Sequence, residues 1–392
     1  MVIYLLGLMI LMVGIWNILP FGLLSSDVFL VLSFAYLLLS FILFPNKKMP
    51  ALFGKKMLPF WMIIAGIAIS AIPAKIFHEQ SLLQTLITCR AQFLWIAIPI
   101  LMRLAPDKRQ LFISTLIFTG MMLVVTILHS MVPSMFPVAY NVEDKIIDEY
   151  TVPGFTVAAI PFAIALEQFH KTYDPRYIVA VLFCFLFCFV TRNRTSIMCF
   201  VLVTGFSFLF SKSRFKYVFM VFLTLLGVMF FIRTLDVWLE LMDETVLQLG
   251  DEDYNRNKAL VYFFSPMANP SWVTYLLGNG YLSSNVTSLM QDLMKEGIYN
   301  SDMGYIGYWN QFGLIPIVAF YMVIFHGLWG EGASLLTKEL SVYIFFASFT
   351  IGYYAETHHL LFYIMAYVLM YKNSKKRYCL VRIPADDNKS GQ

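Results

Sequence analysis

The sequence predicts an all-α polytopic membrane protein with about 12 transmembrane helices and a large, late outer loop that contains short helices. Three observations lead to this fold class: the composition, the length of the apolar runs, and the placement of basic residues between them. Of the 392 residues, 59% are hydrophobic and 13% are charged, and the mean hydropathy is +0.71. A soluble protein of this composition would expose large apolar patches, so lipid is the expected solvent for most of the surface.

The apolar runs have the length that a membrane-crossing helix requires, roughly 20 residues with a range of about 17–25. The first run, "MVIYLLGLMILMVGIW", lacks the basic start and the small-residue cleavage site of a secretory signal, so we predict a retained span there. The predicted spans cover residues 1–19, 28–44, 57–77, 82–102, 110–132, 154–169, 177–191, 195–211, 217–233, 303–327, 340–355 and 357–371.

Lysine and arginine predict the orientation of these spans, because basic residues concentrate in short cytoplasmic loops. With both termini inside, the short basic segments all fall on the cytoplasmic side; they are "NKKMPALFGKK", "RLAPDKR", "KTYDPR", "KSRFK", "GEGASLLTKE" and the tail from Lys372. The prediction therefore divides the chain into a transmembrane bundle over 1–233, an external segment over 234–302, three more spans over 303–371, and a cytoplasmic tail over 372–392.

Charge and cysteine content exclude several classes of protein. The net charge of +4 is small and dispersed, which argues against a nucleic-acid partner. Four cysteines fall inside apolar runs without the spacing of a disulfide framework or a zinc site: Cys89, Cys184, Cys188 and Cys199. We interpret them as small packing residues.

Arginines on the predicted outer side are the first functional signal. In "FVTRNRTSIMCF", Arg192 and Arg194 lie between two spans, where the positive-inside rule does not account for them. They either extend to lipid headgroups or form an anion site, since a guanidinium group matches phosphate oxygens and keeps its proton. Arg90, about two turns inside a predicted span, favours the anion site, although an ion pair with a buried acid would also account for it. Arg256 lies on the same predicted side, among acidic neighbours that could solvate it.

Four features recur in a characteristic order. They are "TRNRTSI" at the start of a span, "YNRNKALVYFFSPMANPSWVTYLLGNGY" in the outer segment, "NSDMGYIGYWNQFGLIPIVAFY" leading into a span, and the architecture itself. Because of the order and spacing of these features, the chain resembles the bacterial O-antigen and capsule repeat-unit polymerases (Wzy type). These belong to the superfamily that also contains the O-antigen ligases. The ligases usually show His-Asn where this chain has Ser301-Asp302, and this difference favours a polymerase.

The resemblance implies a glycosyltransferase of the bacterial cytoplasmic (inner) membrane. Such an enzyme joins undecaprenyl-diphosphate-linked oligosaccharide repeat units into O-antigen or capsular polysaccharide at the outer membrane face. It implies no metal and no other cofactor. The expected partners are the lipid-linked oligosaccharide, membrane lipids and a chain-length-regulating membrane protein, with no nucleic acid.

The resemblance and the residue chemistry together assign roles to particular side chains. The predicted diphosphate-binding residues are Arg90, Arg192, Arg194 and Arg256, because fixed cations stabilise the charge that develops on a leaving diphosphate. A general base must accept the proton of the acceptor hydroxyl. Asp302 is the first candidate because it lies where the outer segment re-enters the membrane, and His359 and Glu356 are the second.

Outer aromatic and glycine residues leave two interpretations open. Trp272, Tyr281 and Tyr305 either stack on sugar rings or belong to an interfacial aromatic belt. Gly278 and Gly280 in "LLGNGY" either cradle a phosphate or end a short helix and turn the chain, and we favour the turn.

Three other functions compete with the polymerase. A flippase for the same lipid-linked sugars would distribute its charges along a central cavity between two related halves, which this chain does not show. A ligase would transfer finished polymer to a lipid A core. A non-enzymatic membrane scaffold would leave Arg90 unexplained.

Overall fold

The computed structural model describes residues 1–13, 26–132, 155–191, 193–211, 255–266, 268–283, 303–349 and 357–373. Within these ranges every regular element is a helix, which confirms the predicted all-α class. The α-helices are α1 Val2–Val13, α2 Ser26–Leu43, α3 Leu58–His78, α4 Leu82–Thr88, α5 Ala97–Leu104, α6 Lys108–Met131, α7 Ala159–Thr172, α8 Pro175–Val190, α9 Arg194–Phe210, α10 Asn255–Phe263, α11 Trp272–Leu277, α12 Gly304–Phe312, α13 Leu314–Trp329, α14 Leu335–Ala347 and α15 Thr357–Asn373. Short 3₁₀ helices cover Lys55–Met57, Arg90–Ile96 and Phe155–Ala158.

Two of these helices are long and apolar enough to cross a membrane, over Lys55–His78 and Lys108–Met131. A third crossing is reached if α4 and the following helical stretch Arg90–Leu104, bent by 68° relative to each other, count as one broken span. The apolar helices α1, α2, α8, α9, α13 and α15 are shorter. The described residues therefore support membrane-crossing helices but do not reach the predicted count of about 12 spans.

Two predicted spans are interrupted. Residues 82–102 were expected to form one helix, but α4 ends at Thr88 and the chain turns before the 3₁₀ stretch that begins at Arg90. Residues 303–327 were also expected to be continuous, but Gly313, with φ +77°, separates α12 from α13. A left-handed backbone cannot continue a right-handed helix, so the chain changes direction there. The predicted span over 217–233 lies outside the described residues.

Helix α15 is the centre of the bundle. Every side chain from His359 to Tyr371 is buried, so this helix is enclosed by protein on all sides rather than by lipid on one. It packs against α1, α5, α13, α14 and α7. Around it, Trp95 and Phe320 meet the ring of Tyr363 edge-on, with centroid distances of 5.4 and 4.7 Å. The four cysteines of the apolar runs are free and buried, as predicted.

Basic side chains meet at one end of the bundle, which we call the basic end. Lys56 donates to the carbonyl of Tyr371 at 2.8 Å, and Lys372 donates to the carbonyls of Ala105 and Pro106 at 2.8 and 2.7 Å. The buried Arg103 donates to three backbone carbonyls at the end of α2 and just beyond it, those of Ser40, Phe44 and Lys47. Three of the predicted cytoplasmic segments thus lie together, as the distribution of basic residues indicated.

The opposite end of the bundle is joined by uncharged amides, and we call it the amide end. Its defining residues are Gln80, Asn269, Asn279 and Asn310, all buried. The helices α10 and α11 of the predicted external segment lie here. The described part of that segment therefore forms short helices, as the sequence predicted.

Candidate functional site

The amide end is built around a close crossing of two backbone segments. The stretch "LLGNGY" runs past the α12–α13 junction, where Asn279 N donates to the Asn310 carbonyl and Gly280 N donates to the Gln311 carbonyl, each at 2.8 Å. Gly278 has φ +81°, and a Cβ there would overlap the backbone oxygen of Gln311 and lie 2.5 Å from Gly313 N. Because neither Gly278 nor Gly313 has a Cβ, the backbones of the two segments can lie in direct contact. Gly278 ends α11 and turns the chain, which is the interpretation that the sequence favoured.

A chain of side-chain amides links this crossing to the end of α3. The side chain of Asn269 donates to the Phe263 carbonyl at 2.6 Å, and its oxygen accepts from Asn279 Nδ2 at 3.3 Å. Asn279 Nδ2 also lies 3.3 Å from the Asn310 carbonyl. The oxygen of Asn279 faces His78 Nε2 at 3.1 Å. Buried amides held on both sides in this way are fixed in orientation.

Gln80 ties the same segment to the start of α4. Its fully buried side chain donates to the hydroxyl of Thr85 and to the carbonyl of Tyr281, and accepts from Ser283 N at 2.8 Å. Two further polar atoms of this end, Asn310 Nδ2 and Gln311 Oε1, are buried without a hydrogen-bond partner among the described residues. The described part of the predicted external segment is thus attached to α3, α4 and α12 by uncharged groups.

Arg90 lies at the bend after α4 rather than within a continuous helix, and 43% of its side chain is exposed. Its Nε and Nη2 lie 2.6 and 2.5 Å from one carboxylate oxygen of Asp27, at the start of α2. An ion pair therefore accounts for Arg90, although its partner is an exposed acid and not a buried one.

Arg194 is the first residue of α9 and is half-buried. The preceding Asn193 caps the helix, accepting from Ser196 N at 2.8 Å. The hydroxyl of Ser196 in turn lies 3.1 Å from the hydroxyl of the buried Tyr343 on α14. A cation at a helix N-terminus adds to the positive end of the helix dipole, and both attract an anion.

The other predicted diphosphate residues are less well defined by the structure. Arg192 lies outside the described residues. Arg256 lies in the first turn of α10 by its backbone, and its side chain is outside what is described. The predicted set of four arginines therefore remains a prediction for these two members.

Of the three predicted acid–base residues, only His359 is described. It is buried in the first turn of α15, and its Nδ1 lies 3.1 Å from the hydroxyl of the fully buried Thr156. This is the environment of a packed histidine with a hydroxyl partner. Asp302 and Glu356 lie outside the described residues.

The predicted sugar-stacking residues differ in exposure. Trp272, the first residue of α11, is 72% exposed. Tyr281 is half-buried against Phe312, at a centroid distance of 6.3 Å. The ring of Tyr305 stacks on that of Tyr321 at 5.4 Å, so one of its faces is occupied by protein. Trp272 is the member of this set that fits a stacking platform best.

Sequence reasoning missed two groups of polar residues. His78 and its partner Asn279 were not singled out, although a His-Glu pair at the outer end of a predicted span was a readable signal. The second group is Glu167, inside a predicted span, and Glu339, in a predicted cytoplasmic segment; both are fully buried near the basic end. Glu167 pairs with Lys108 and Lys171 at 2.9 Å each, and Glu339 accepts from Ser207 at 2.5 Å.

Comparison with known proteins adds no assignment. No protein-family model matches the chain, and no curated protein sequence matches it. A functional proposal therefore depends on the site geometry and on the resemblance of the sequence motifs.

Proposed function

We propose that this protein is a polymerase that joins undecaprenyl-diphosphate-linked oligosaccharide repeat units into O-antigen or capsular polysaccharide. It would act from the amide end, at the outer face of the bacterial cytoplasmic membrane, in a chain of about 12 spans with the basic end in the cytoplasm. The observation that carries this proposal is the docking of two resemblance motifs on each other. "LLGNGY" and "WNQFGL" meet through paired backbone hydrogen bonds, and the two segments then form one folded unit.

The reaction needs cations for the leaving diphosphate and a base for the acceptor hydroxyl. Arg194, at the start of α9, supports the first requirement, since its guanidinium and the helix dipole both favour an anion. Arg90 would contribute by exchanging its carboxylate partner Asp27 for diphosphate oxygens. Trp272 is exposed near the same end of the bundle, where a sugar ring could stack on it.

The first experiment is to delete the gene in its host and examine surface glycan on a gel. A polymerase deletion is expected to leave single-repeat glycan in place of long chains. Polymer that accumulates on the lipid carrier without surface attachment would indicate a ligase instead. Loss of nearly all surface glycan, with repeat units retained inside, would indicate a flippase.

The second experiment complements the deletion strain with variants at matched membrane levels. Arg194→Ala is expected to lower polymer formation by about 10²-fold, and Arg194→Lys to lose much of the activity, because a lysine point charge does not replace the guanidinium fork. Arg109→Ala, an exposed arginine at the basic end, is the matched control and should leave chain length unchanged. Wild-type chain length from both Arg194 variants would contradict the diphosphate role.

The Arg90–Asp27 pair allows a further distinction. If Arg90 binds diphosphate, Arg90→Gln should shorten the glycan while Asp27→Asn leaves it long. Equal effects of the two variants would mean that the pair has only a structural role.

Reporter fusions after residues 250 and 392 test the proposed topology, and they should report opposite sides of the membrane.

A further inference from the structure

We propose that His78 is the general base that accepts the proton of the acceptor sugar hydroxyl, and that Asn279 positions it. This inference rests on the proposed function and names a residue for a role that the sequence had assigned to Asp302, His359 or Glu356. Its basis is a chain of hydrogen bonds that fixes which nitrogen of the His78 ring carries a proton.

The chain starts from a group whose role is unambiguous. The Phe263 carbonyl can only accept, so the side-chain nitrogen of Asn269 faces it and the side-chain oxygen of Asn269 points the other way. That oxygen, together with the Asn310 carbonyl, requires a donor from Asn279, which is its Nδ2. Asn279 therefore presents its oxygen to His78, and His78 Nε2 must donate at 3.1 Å.

The neutral ring then keeps its lone pair on Nδ1. A histidine whose Nε2–H is held by a fixed acceptor is locked in one tautomer, as in catalytic sites where a third group orients the base. The buried Asn279 is the rigid part of this pair, while His78 itself is half-buried and ends α3. His359 contrasts with it, because that ring is buried against Thr156.

The described elements that pack against α3 carry no Asp or Glu, and Glu79 is the acid next to His78 in the chain. On its own helix and just after it, the charged neighbours are Lys75 and Glu79, both exposed. Titratable groups on the described elements that pack against α3 are Lys55, Lys56, Cys89, Arg90, Tyr275, Tyr305, Tyr308, Tyr321 and His326.

The proposed step balances as a displacement at the anomeric carbon of the donor. The O–H bond of the acceptor hydroxyl breaks and its proton moves to His78 Nδ1. The acceptor oxygen forms the new bond to the anomeric carbon. The bond from that carbon to the phosphate oxygen breaks, and its electron pair leaves with the lipid diphosphate, which Arg194 would stabilise. The imidazolium then returns its proton to solvent or to the departing diphosphate.

The test measures polymer formation by the purified full-length protein in nanodiscs, with undecaprenyl-diphosphate-linked repeat unit as substrate, between pH 5 and 9. His78→Gln keeps a donor for Asn279 but removes the base. We expect kcat to fall by about 10²-fold or more while KM stays within about threefold. The acid limb of the wild-type profile, over the range of about pH 5–8 in which histidines change charge, should disappear from the residual activity.

Gln80→Ala is the matched control, because Gln80 ties the same segment to the same end of the bundle without offering a base. It should lower the midpoint of heat denaturation but keep the acid limb. If the wild-type protein forms polymer and His78→Gln keeps the same kcat and the same acid limb, the role of His78 is overturned while the proposed function stands. No polymer from the wild-type protein would overturn the proposed function and this inference with it.

Discussion

At the basic end of the bundle, lysine and arginine side chains bridge the helices, whereas at the amide end asparagine, glutamine and backbone groups do so. Arg103 alone donates to three carbonyls at the basic end. At the amide end, Asn279 uses its backbone and both side-chain polar atoms to join α3, the outer segment and α12. Among the described residues, and apart from the exposed Arg90–Asp27 ion pair, helix ends are held together by charged groups at one end and by uncharged groups at the other.

The difference has a physical reason. Basic side chains satisfy the unpaired carbonyls at helix C-termini, and basic residues favour the cytoplasmic side of a membrane. The uncharged amide side chains of the other end hold the backbone segments together without attracting or repelling an ionic substrate. On the proposed function, the amide end would therefore leave its few cations, Arg194 among them, to determine the local potential.

The largest expected effect comes from breaking the backbone crossing of the amide end. Gly278→Ala should lower the free energy of unfolding by roughly 2–5 kcal/mol, since it adds a left-handed alanine and an overlap with the Gln311 backbone. The measurement is the midpoint of heat denaturation of the detergent-solubilised protein. Gly205→Ala is the control: a Cβ there meets nothing within 4 Å, so the change should stay within about 1 kcal/mol. Equal midpoints for the two variants would contradict the crossing.

The next largest effect is expected from removing the Arg103 hydrogen bonds at the basic end. Arg103→Ala should destabilise by roughly 2–3 kcal/mol, because it leaves carbonyls at the end of α2 without their donor. The exposed Arg109, changed to alanine, should alter stability by less than about 0.5 kcal/mol. Heat denaturation of both variants in the same detergent provides the comparison. A similar loss in both would mean that net charge, rather than carbonyl bonding, holds this end together.

The smallest expected effects come from replacing the two buried acids near the basic end, Glu167 and Glu339, and the two replacements should differ in cost. Glu167 lies between two lysines, so Glu167→Gln should cost about 1–3 kcal/mol, reduced by the partial exposure of Lys108 and Lys171. Glu339 has one oxygen without a hydrogen-bond partner among the described residues, so we expect a neutral acid there. Glu339→Gln, similar in shape and also neutral, should cost less than about 1 kcal/mol. A larger loss from Glu339→Gln than from Glu167→Gln in heat denaturation would show that Glu339 is ionised.

Several features of this protein were predicted from the sequence alone. The all-α class, the helices near 57–77 and 110–132, and the joining of three basic segments at one end all follow from local hydropathy and charge. Each depends on residues that are neighbours in the chain or on the sign of a loop's charge. The short helices and the glycine turn of the outer segment were read in the same way.

Tertiary structure decided what depends on distant partners. Arg90 and Asp27 are 63 residues apart and His78 and Asn279 are 201 apart, so no local pattern could pair them. The breaks after Thr88 and at Gly313 lie within runs whose hydropathy alone favoured continuous helices. Hydropathy measures how much each residue avoids water, but only the packed chain determines which polar atoms meet and which helices must bend to let them.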